Sequence, residues 1–359
     1  MSFQNRTGTA LKDLLEAKGE DGAQVVISKA IESKKLRAED FSLKEIWEAC
    51  TNGANVHEAI ASSAFPKITG ALINSKLIEG YDSVVKIGDQ LVTVVSSNAQ
   101  KETIAGLSTP ESPDQVGEGQ EYDSSTMTEK YVTADNKKYG RIIDVTEEMI
   151  YFDKTGQVLI RARGVGEKLA QYREKLIIEG IQDVNTNVWN PSGVATALYS
   201  TANGNLVSTN PFGESGLEEV LKKAQLMKDD SLGADDADYV YIDMNNLVVL
   251  VPSDLQVEAW QMANSVKTPE SAENAENYFK NRFMPLSSPY VTKQSSTTWY
   301  WGNFKRDFWW MEVWPLQTIA QRPGHDDEFK RDIKARMKCR FYGAITAVDY
   351  KHVYKNTAA

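Results

Sequence analysis

The sequence predicts a mixed α+β fold, and three segments carry that prediction. Residues 157–181 place apolar side chains at alternating spacings of four and three, which is the pattern of one long helix. Residues 332–350 alternate apolar and polar side chains along their first half, which is the pattern of a strand. Residues 247–252 (LVVLVP) form a short apolar run that ends in proline, which suits a buried strand between helices.

Length and composition fit a globular protein with a sizeable core. The chain has 359 residues, 41% of them hydrophobic and 25% charged, which predicts two or three lobes. A formal net charge of −10 argues against a dedicated nucleic-acid binder but leaves room for one basic face. Cys50 and Cys339 lie outside any CxxC pair, so neither a zinc site nor a disulfide is expected, and a reducing cytoplasm fits best. The sequence shows neither a signal peptide nor an apolar stretch of membrane-spanning length.

The N-terminal part reads as short helices. Residues 1–62 are expected to form a helical arm with a first helix that ends at Gly19, and Ser42 with Glu45 has capping-box spacing. A further helix is predicted around residues 68–79, with Gly80 as its C-terminal stop. The apolar faces of the arm are too small for it to fold alone.

A long polar loop lies between two predicted strands. Residues 91–95 and 126–133 have strand character, and residues 106–125 between them are rich in Gly, Pro, Ser and acid. The two strands are predicted to form a protruding hairpin. A lone two-stranded ribbon is marginal in water, so we expect a neighbouring subunit to receive it. Its tip carries the acids Glu111, Asp114, Glu118 and Glu121.

Further elements follow from local signals. Thr146 is predicted to cap a helix ahead of the long helix, which would span roughly 37 Å. A helix is predicted at 217–228, and Ser253 with Gln256 predicts another capping box. The aromatic segment 297–318 predicts a hairpin that turns near Gly302.

The alternating strand has one basic face. Cations that follow one another along a ribbon repel unless acids or phosphates lie opposite them. Two interpretations stay open: acidic neighbours within the fold, or a surface that faces packaged DNA or an acidic assembly partner such as a scaffold. The four cations are Lys334, Arg336, Lys338 and Arg340.

No motif predicts catalysis. The glycines at 164 and 166 fall within the predicted long helix and lack a preceding strand, so they are not a dinucleotide fingerprint. The run 325–328 (HDDE) is interpreted as a solvated turn, and the acids at 235–238 lack the spacing of a calcium loop. The tryptophan-rich segment could stack sugars or bases, but aromatic residues more often fill a core or an interface. The sequence therefore predicts no catalytic residue, no metal and no cofactor.

The order of the elements resembles the major capsid protein family of tailed double-stranded-DNA bacteriophages. Encapsulins and the herpesvirus capsid floor are similar to that family. Four stretches look like parts of it: 64–70 (AFPKITG) before a helix, 138–148 (KYGRIIDVTEE) leading into the long helix, 301–305 (WGNFK), and the closing segment 341–356. The resemblance covers about residues 64–356.

The resemblance implies a domain plan for the tailed-phage capsid fold. It comprises an N-terminal helical arm at 1–62, a connection into the peripheral domain at 63–83, and an extended loop at 84–140. The peripheral domain with its spine helix would occupy 141–184, the axial domain 185–320, and the return strand with the C-terminal tail 321–359.

The resemblance also implies a function without catalysis. The chain would assemble with itself into hexamers and pentamers of an icosahedral or prolate shell around phage DNA, with the alternative of an encapsulin-type compartment. Expected partners are a scaffolding protein, a portal, DNA contacted non-specifically on the inner face, and a decoration protein, with no membrane. The expected location is the virion capsid, assembled in the cytoplasm of a host bacterium. Some relatives crosslink a loop lysine to an asparagine, for which Lys101 or Lys130 with Asn356 are the candidates here.

Overall fold

A computed structural model describes most of the chain: residues 4–32, 43–51, 64–107, 129–152, 157–186, 188–229, 239–243, 246–269, 275–321 and 332–358. Its helices are α1 (Gln4–Glu32), α2 (Leu43–Cys50), α3 (Ala64–Ser83), α4 (Gly88–Leu91), α5 (Glu147–Phe152), α6 (Gln157–Ile181), α7 (Glu214–Gln225), α8 (Gln256–Asn264), α9 (Pro289–Thr292) and α10 (Phe304–Asp307). Its strands are β1 (Thr93–Ser96), β2 (Lys101–Leu107), β3 (Glu129–Asp135), β4 (Lys137–Thr146), β5 (Leu206–Val207), β6 (Val248–Val251), β7 (Met284–Ser287), β8 (Trp299–Gly302), β9 (Phe308–Ala320), β10 (Ile333–Ala347) and β11 (Val353–Asn356).

Helices and sheets are mixed along the chain, which confirms the α+β prediction. The chain divides into two compact units, each built from separate stretches. The first comprises Met1–Val85, Lys138–Arg173 and Trp314–Tyr342, and the second comprises Lys86–Lys137, Glu174–Val313 and Gly343–Ala359. In the described part of the chain, no helix combines the length and the apolar character needed to cross a bilayer.

In the first unit, α3 and α6 approach each other closely. A Cβ atom on Gly80 would collide with the carbonyl oxygen of Arg163, and one on Gly166 would collide with that of Leu77. The predicted helix stop at Gly80 is therefore wrong: α3 continues to Ser83, and Gly80 provides space for the neighbouring backbone. The glycine in α6 has the same role.

Several local predictions for this unit are confirmed. Helix α6 has the predicted bounds of 157–181. Gly19 leaves the helical conformation with a φ of 68°, so the N-terminal helix breaks where the sequence predicted an end. The Thr146 hydroxyl accepts a hydrogen bond from the Met149 amide at 3.4 Å, which is the predicted cap of α5. Ser42, the predicted cap of α2, lies outside the described residues.

Strands β4, β10 and β9 are neighbours in a sheet of order β1-β9-β10-β4. Along β10 the side chains alternate between buried and more exposed positions from Ile333 to Phe341, which confirms the two-residue period. In the second unit, β1 pairs in parallel with the first half of β9, from Thr93 opposite Trp309 to Ser96 opposite Glu312.

The second unit also has a five-stranded sheet of order β5-β11-β8-β6-β7. The predicted strand at 247–252 is its β6, which pairs with β7 and β8. Helices α7 and α8 share one hydrophobic cluster with this sheet, to which Trp299 and Trp301 contribute. The capping box predicted for α8 is wrong, because Ser253 opens a short 3-10 turn and no side chain caps the helix.

Two predicted strand pairings are wrong. The strand at 91–95 does not pair with 126–133, because β3 pairs with β2 and β1 pairs with β9. The segment 297–318 is not a hairpin, since β8 and β9 belong to different sheets and α10 lies between them. Strand β8 pairs with β11 instead. Gly302 ends β8 with a φ of 145°, and a side chain there would collide with the His352 carbonyl just before β11.

Candidate functional site

A two-stranded ribbon is the first candidate assembly element. β2 and β3 pair antiparallel over their whole length, from Lys101 opposite Asp135 to Leu107 opposite Glu129. Nearly all of β2 is exposed or half-buried, and this ribbon is a sheet of its own. The predicted tip residues Glu111, Asp114, Glu118 and Glu121 lie outside the described residues.

The base of this ribbon is held by side-chain amides. Asn136 donates to the Ser97 hydroxyl at 2.9 Å and to the Ala99 carbonyl at 2.8 Å. Asn190 donates to the Thr133 carbonyl at 3.1 Å, beside a bridge between Val132 and Pro191. The Asn190 bond satisfies a carbonyl of β3, and the Asn136 bonds tie the end of β3 to the segment that precedes β2.

The four cations of β10 have different surroundings. Lys334 lies 3.4 Å from the Glu147 carboxylate, and Arg336 forms a charge-assisted hydrogen bond with Asp144. Arg340 stacks on Trp314 with its guanidinium carbon 4.4 Å from the ring centre, and it also donates to Gln317. Lys338 is exposed, and among the described residues no acid pairs with it. Acidic neighbours within the fold therefore account for two of the four cations.

Two exposed isoleucines that the sequence did not single out lie beside Lys338. Ile142 on β4 is 55% exposed, and Ile319 on β9 is 42% exposed. The alternation along β4 could have indicated that Ile142 is exposed, because Ile142 shares a face with Asp144 and not with the buried Ile143 and Val145. Which strands would flank β10 was not visible in the sequence.

Three of the five tryptophans in the segment 297–318 cannot serve as a stacking platform. Trp299, Trp301 and Trp310 are each at most 2% exposed and belong to the interior, whereas Trp309 and Trp314 are half-buried. Phe212 meets Trp299 edge to face with ring centres 5.2 Å apart. A sugar or a base cannot reach these rings, so the interpretation of the segment as core is the one that fits.

A buried polar cluster joins the start of β9 to the start of β11. Asp307 is fully buried, and its two oxygens accept hydrogen bonds from the His352 ring at 2.8 Å and the His352 amide at 2.9 Å. Burial raises the pKa of Asp307, and its contact with His352 opposes that rise. Ligand atoms of Asp307, Asp349 and His352 lie within 4.8 Å of one another. Because His352 already provides a partner for both oxygens of Asp307, we assign the cluster to an internal hydrogen-bonded pair.

Asn356, the candidate crosslink partner, lies in the interior. It is 1% exposed, its amide donates to the Asn210 carbonyl at 3.0 Å, and its side-chain oxygen accepts from the Ala358 amide at 2.8 Å. A lysine from a neighbouring copy could reach this side chain only after β11 had opened.

Comparisons with known proteins agree with this architecture. The family model described as phage capsid protein matches residues 130–356. The capsid subunit of a native GTA particle superimposes with a TM-score of 0.53 at 12% identity, covering 77% of this chain and 92% of that one. The capsid subunit of cyanophage P-SCSP1u gives 0.50 at 12% identity, with 77% and 88% covered. A chain from the structure of Mycobacterium phage Cain gives 0.50 at 15% identity, with 77% and 92% covered. At these identities the likeness concerns the fold, and it confirms the predicted capsid fold. No curated protein sequence matches the chain.

Proposed function

This chain belongs to the phage capsid protein family, and on that premise we propose that it is the major subunit of a closed phage head. Copies of it assemble into hexamers and pentamers of an icosahedral or prolate shell around packaged double-stranded DNA. The observation that carries the proposal is the family match over residues 130–356, which includes β3, α6, β10 and β11. The family and its fold are structural rather than enzymatic, and the location that follows is the virion capsid.

The ribbon of β2 and β3 is the proposed clasp between subunits. Among the described strands, β2 and β3 pair only with each other, and apart from the bridge at Val132 a second copy supplies the further contacts that stabilise the ribbon. The acids Glu111, Asp114, Glu118 and Glu121 then lie at an intersubunit contact. The corresponding domain plan is an arm at 1–62, a connection at 63–83, the extended loop at 84–140, peripheral parts at 141–184 and 321–359, and an axial domain at 185–320.

Deletion of residues 107–122 tests the clasp. The deletion joins the two strands near their ends, so the subunit is expected to fold and to show an unchanged thermal melting midpoint. Assembly is expected to fail because a contact that recurs in every subunit is lost. Closed shells from the shortened chain in electron micrographs would show that this loop is not a clasp.

A head filled with DNA requires further proteins beside the shell subunit. A closed shell that is filled with DNA needs a portal for entry, and we infer a separate scaffolding protein, a decoration protein on the outside and assembly in the cytoplasm of a bacterial host. DNA inside is contacted without sequence preference. For the exposed cation of β10, two proposed partners stay open at this point: DNA phosphates or an acidic protein.

An encapsulin-type compartment is the alternative function. The two functions differ in what the shell holds, so nucleic-acid absorbance and gel analysis of purified shells separate them. Double-stranded DNA in the shells supports the phage head. A folded enzyme without DNA supports the compartment.

A further inference from the structure

Lys338 lies at the centre of a small amphipathic surface on the first unit. The Gln321 amide donates to the Arg336 carbonyl at 2.8 Å, and Arg340 reaches Gln317, so the antiparallel register of β9 and β10 places Ile319 directly opposite Lys338. On the other side, Arg336 pairs with Asp144 and Gly140 lies against Arg340, which places Ile142 opposite Lys338. We call Ile142, Lys338 and Ile319 the Lys338 patch.

Among the described cations on this face of β10, Lys338 is the one whose ammonium group faces solvent without an acidic or aromatic partner. Arg336 is engaged by Asp144, and Arg340 is engaged by Trp314 and Gln317. Lys338 therefore presents an ammonium group between two aliphatic side chains that are 55% and 42% exposed. Surfaces that bind DNA phosphates are polar and densely cationic. The Lys338 patch instead exposes two aliphatic side chains around one cation, and burial of that apolar surface favours a protein partner.

The chain itself contains a segment of matching chemistry. Residues 108–128 carry five acids, Glu111, Asp114, Glu118, Glu121 and Asp123, and no lysine, arginine or histidine. Within this segment Tyr122 lies between Glu121 and Asp123, so a large amphipathic ring is flanked by two carboxylates. The Lys338 patch has the complementary order, with a cation between two apolar side chains.

We propose that the Lys338 patch is the docking surface for residues 108–128 of a second copy, with Glu121, Tyr122 and Asp123 at the contact. This inference rests on the proposed shell function and names the surface that receives the clasp. Aliphatic contact with the tyrosine supplies affinity, and the pairing of Lys338 with the carboxylates fixes the register and rejects wrong partners. Each subunit offers one patch and one acidic segment, so the contact is heterologous and propagates around a ring.

A charge-reversal experiment with mixing tests the proposal. The variants are Lys338→Glu in one chain and Glu121→Lys with Asp123→Lys in another. Each variant alone juxtaposes like charges, and its shell yield is expected to fall by about tenfold or more, which is the effect of roughly 1.4 kcal/mol at one contact. An equal mixture of the two chains is expected to recover part of the yield, because alternation in a six-membered ring brings the acidic patch of one chain against the basic segment of the other, whereas a five-membered ring keeps one like-charged contact. A single chain that carries all three substitutions is expected to recover the full yield.

Lys168→Glu is the matched control, since Lys168 is exposed on α6 and the charge change is identical. It is expected to assemble as the unsubstituted chain does, and thermal melting of all variants monitors folding. Yield is measured by sedimentation and electron microscopy, and DNA content by absorbance.

Four results would overturn the docking proposal. The first is a normal yield from Lys338→Glu, and the second is a normal yield with reduced DNA content, which assigns Lys338 to DNA. The third is a normal yield from the acid-reversed chain while Lys338→Glu fails, which assigns the patch to another acidic protein such as a scaffold. The fourth is recovery of yield by the single chain that carries all three substitutions together with no recovery at all in the mixture, which places the contact within one subunit. Failure of the unsubstituted chain to form shells would instead overturn the proposed function.

Discussion

The Asp307–His352 pair is a buried polar contact of the second unit. The Asp307 side chain is 0% exposed and that of His352 is 4% exposed, with 2.8 Å between the His352 Nδ1 and the Asp307 Oδ1. Removing the His352 ring leaves one Asp307 oxygen buried without its side-chain partner. His352→Ala is therefore expected to lower the free energy of unfolding by about 1–3 kcal/mol.

Urea denaturation of the purified subunit measures this loss. Asp349→Asn is the control, because Asp349 is partly exposed and its weak pairing with Lys351 at 3.8 Å is expected to contribute less than about 1 kcal/mol. Equal and small effects from both substitutions would contradict a stabilising role of the buried Asp307–His352 contact.

Three buried tyrosines make stability sensitive to alkaline pH. Burial is the main cause that raises the pKa of Tyr199, Tyr300 and Tyr354 above its ordinary value of 10.0. Their stabilising contribution is fully present below about pH 10 and is lost as the pH rises, because the unfolded chain releases protons that the folded chain retains. Each tyrosine contributes a slope of up to about 1.4 kcal/mol per pH unit.

Urea denaturation across pH 10 measures this slope. Tyr300→Phe is expected to reduce it, whereas Tyr241→Phe is expected to leave it unchanged, because Tyr241 is 93% exposed. If the two substitutions have the same effect, buried tyrosines do not cause the alkaline loss.

Residue patterns in the sequence predicted which side chains share a face but not what lies opposite them. The alternation of β10 identified Lys334, Arg336, Lys338 and Arg340 as one basic face. Their partners come from β4, α5 and β9, which are distant in sequence, so no local pattern could show that Asp144 and Glu147 neutralise two of them. The role of Lys338 became visible only with Ile142 and Ile319 beside it.

At the scale of elements, the crossing of α3 and α6 depends on two glycines. Gly166→Ala places a methyl group against the Leu77 carbonyl, so the helices must move apart. We expect a loss of about 1–3 kcal/mol in the free energy of unfolding, which chemical denaturation measures.

Gly164→Ala in the same helix is the matched control. Its added methyl group meets nothing within 4 Å, so the greater helix propensity of alanine is expected to stabilise the protein by roughly 0.5–1 kcal/mol. Destabilisation by both substitutions to the same degree would contradict a close crossing at Gly166.

Elements with a strong local period were predictable, and elements defined by distant pairing were not. The stripe of α6 and the alternation of β10 are properties of consecutive residues, so both were located correctly. Strand β2 is mostly exposed and its short sequence lacks a clear alternation of buried and exposed residues, so it was not predicted, and its pairing with β3 defines it. The break between β8 and β9 depends on contact of Gly302 with the His352 segment, which is distant in sequence.

At the scale of the whole molecule, the proposed function depends on association between copies. The family assignment follows from the match over residues 130–356, and the fold agrees with the capsid structures of a GTA particle and of a cyanophage. The order of elements made this class predictable from the sequence. The surface proposed to receive the clasp was not predictable, since it combines β4 with β9 and β10, which are distant from β4 in sequence.

Electron microscopy of the purified, negatively stained full-length protein tests the central claim most directly. The protein is expected to form uniform closed shells, because every copy carries both the proposed clasp and the surface proposed to receive it. A monodisperse monomer that persists at high protein concentration would contradict it.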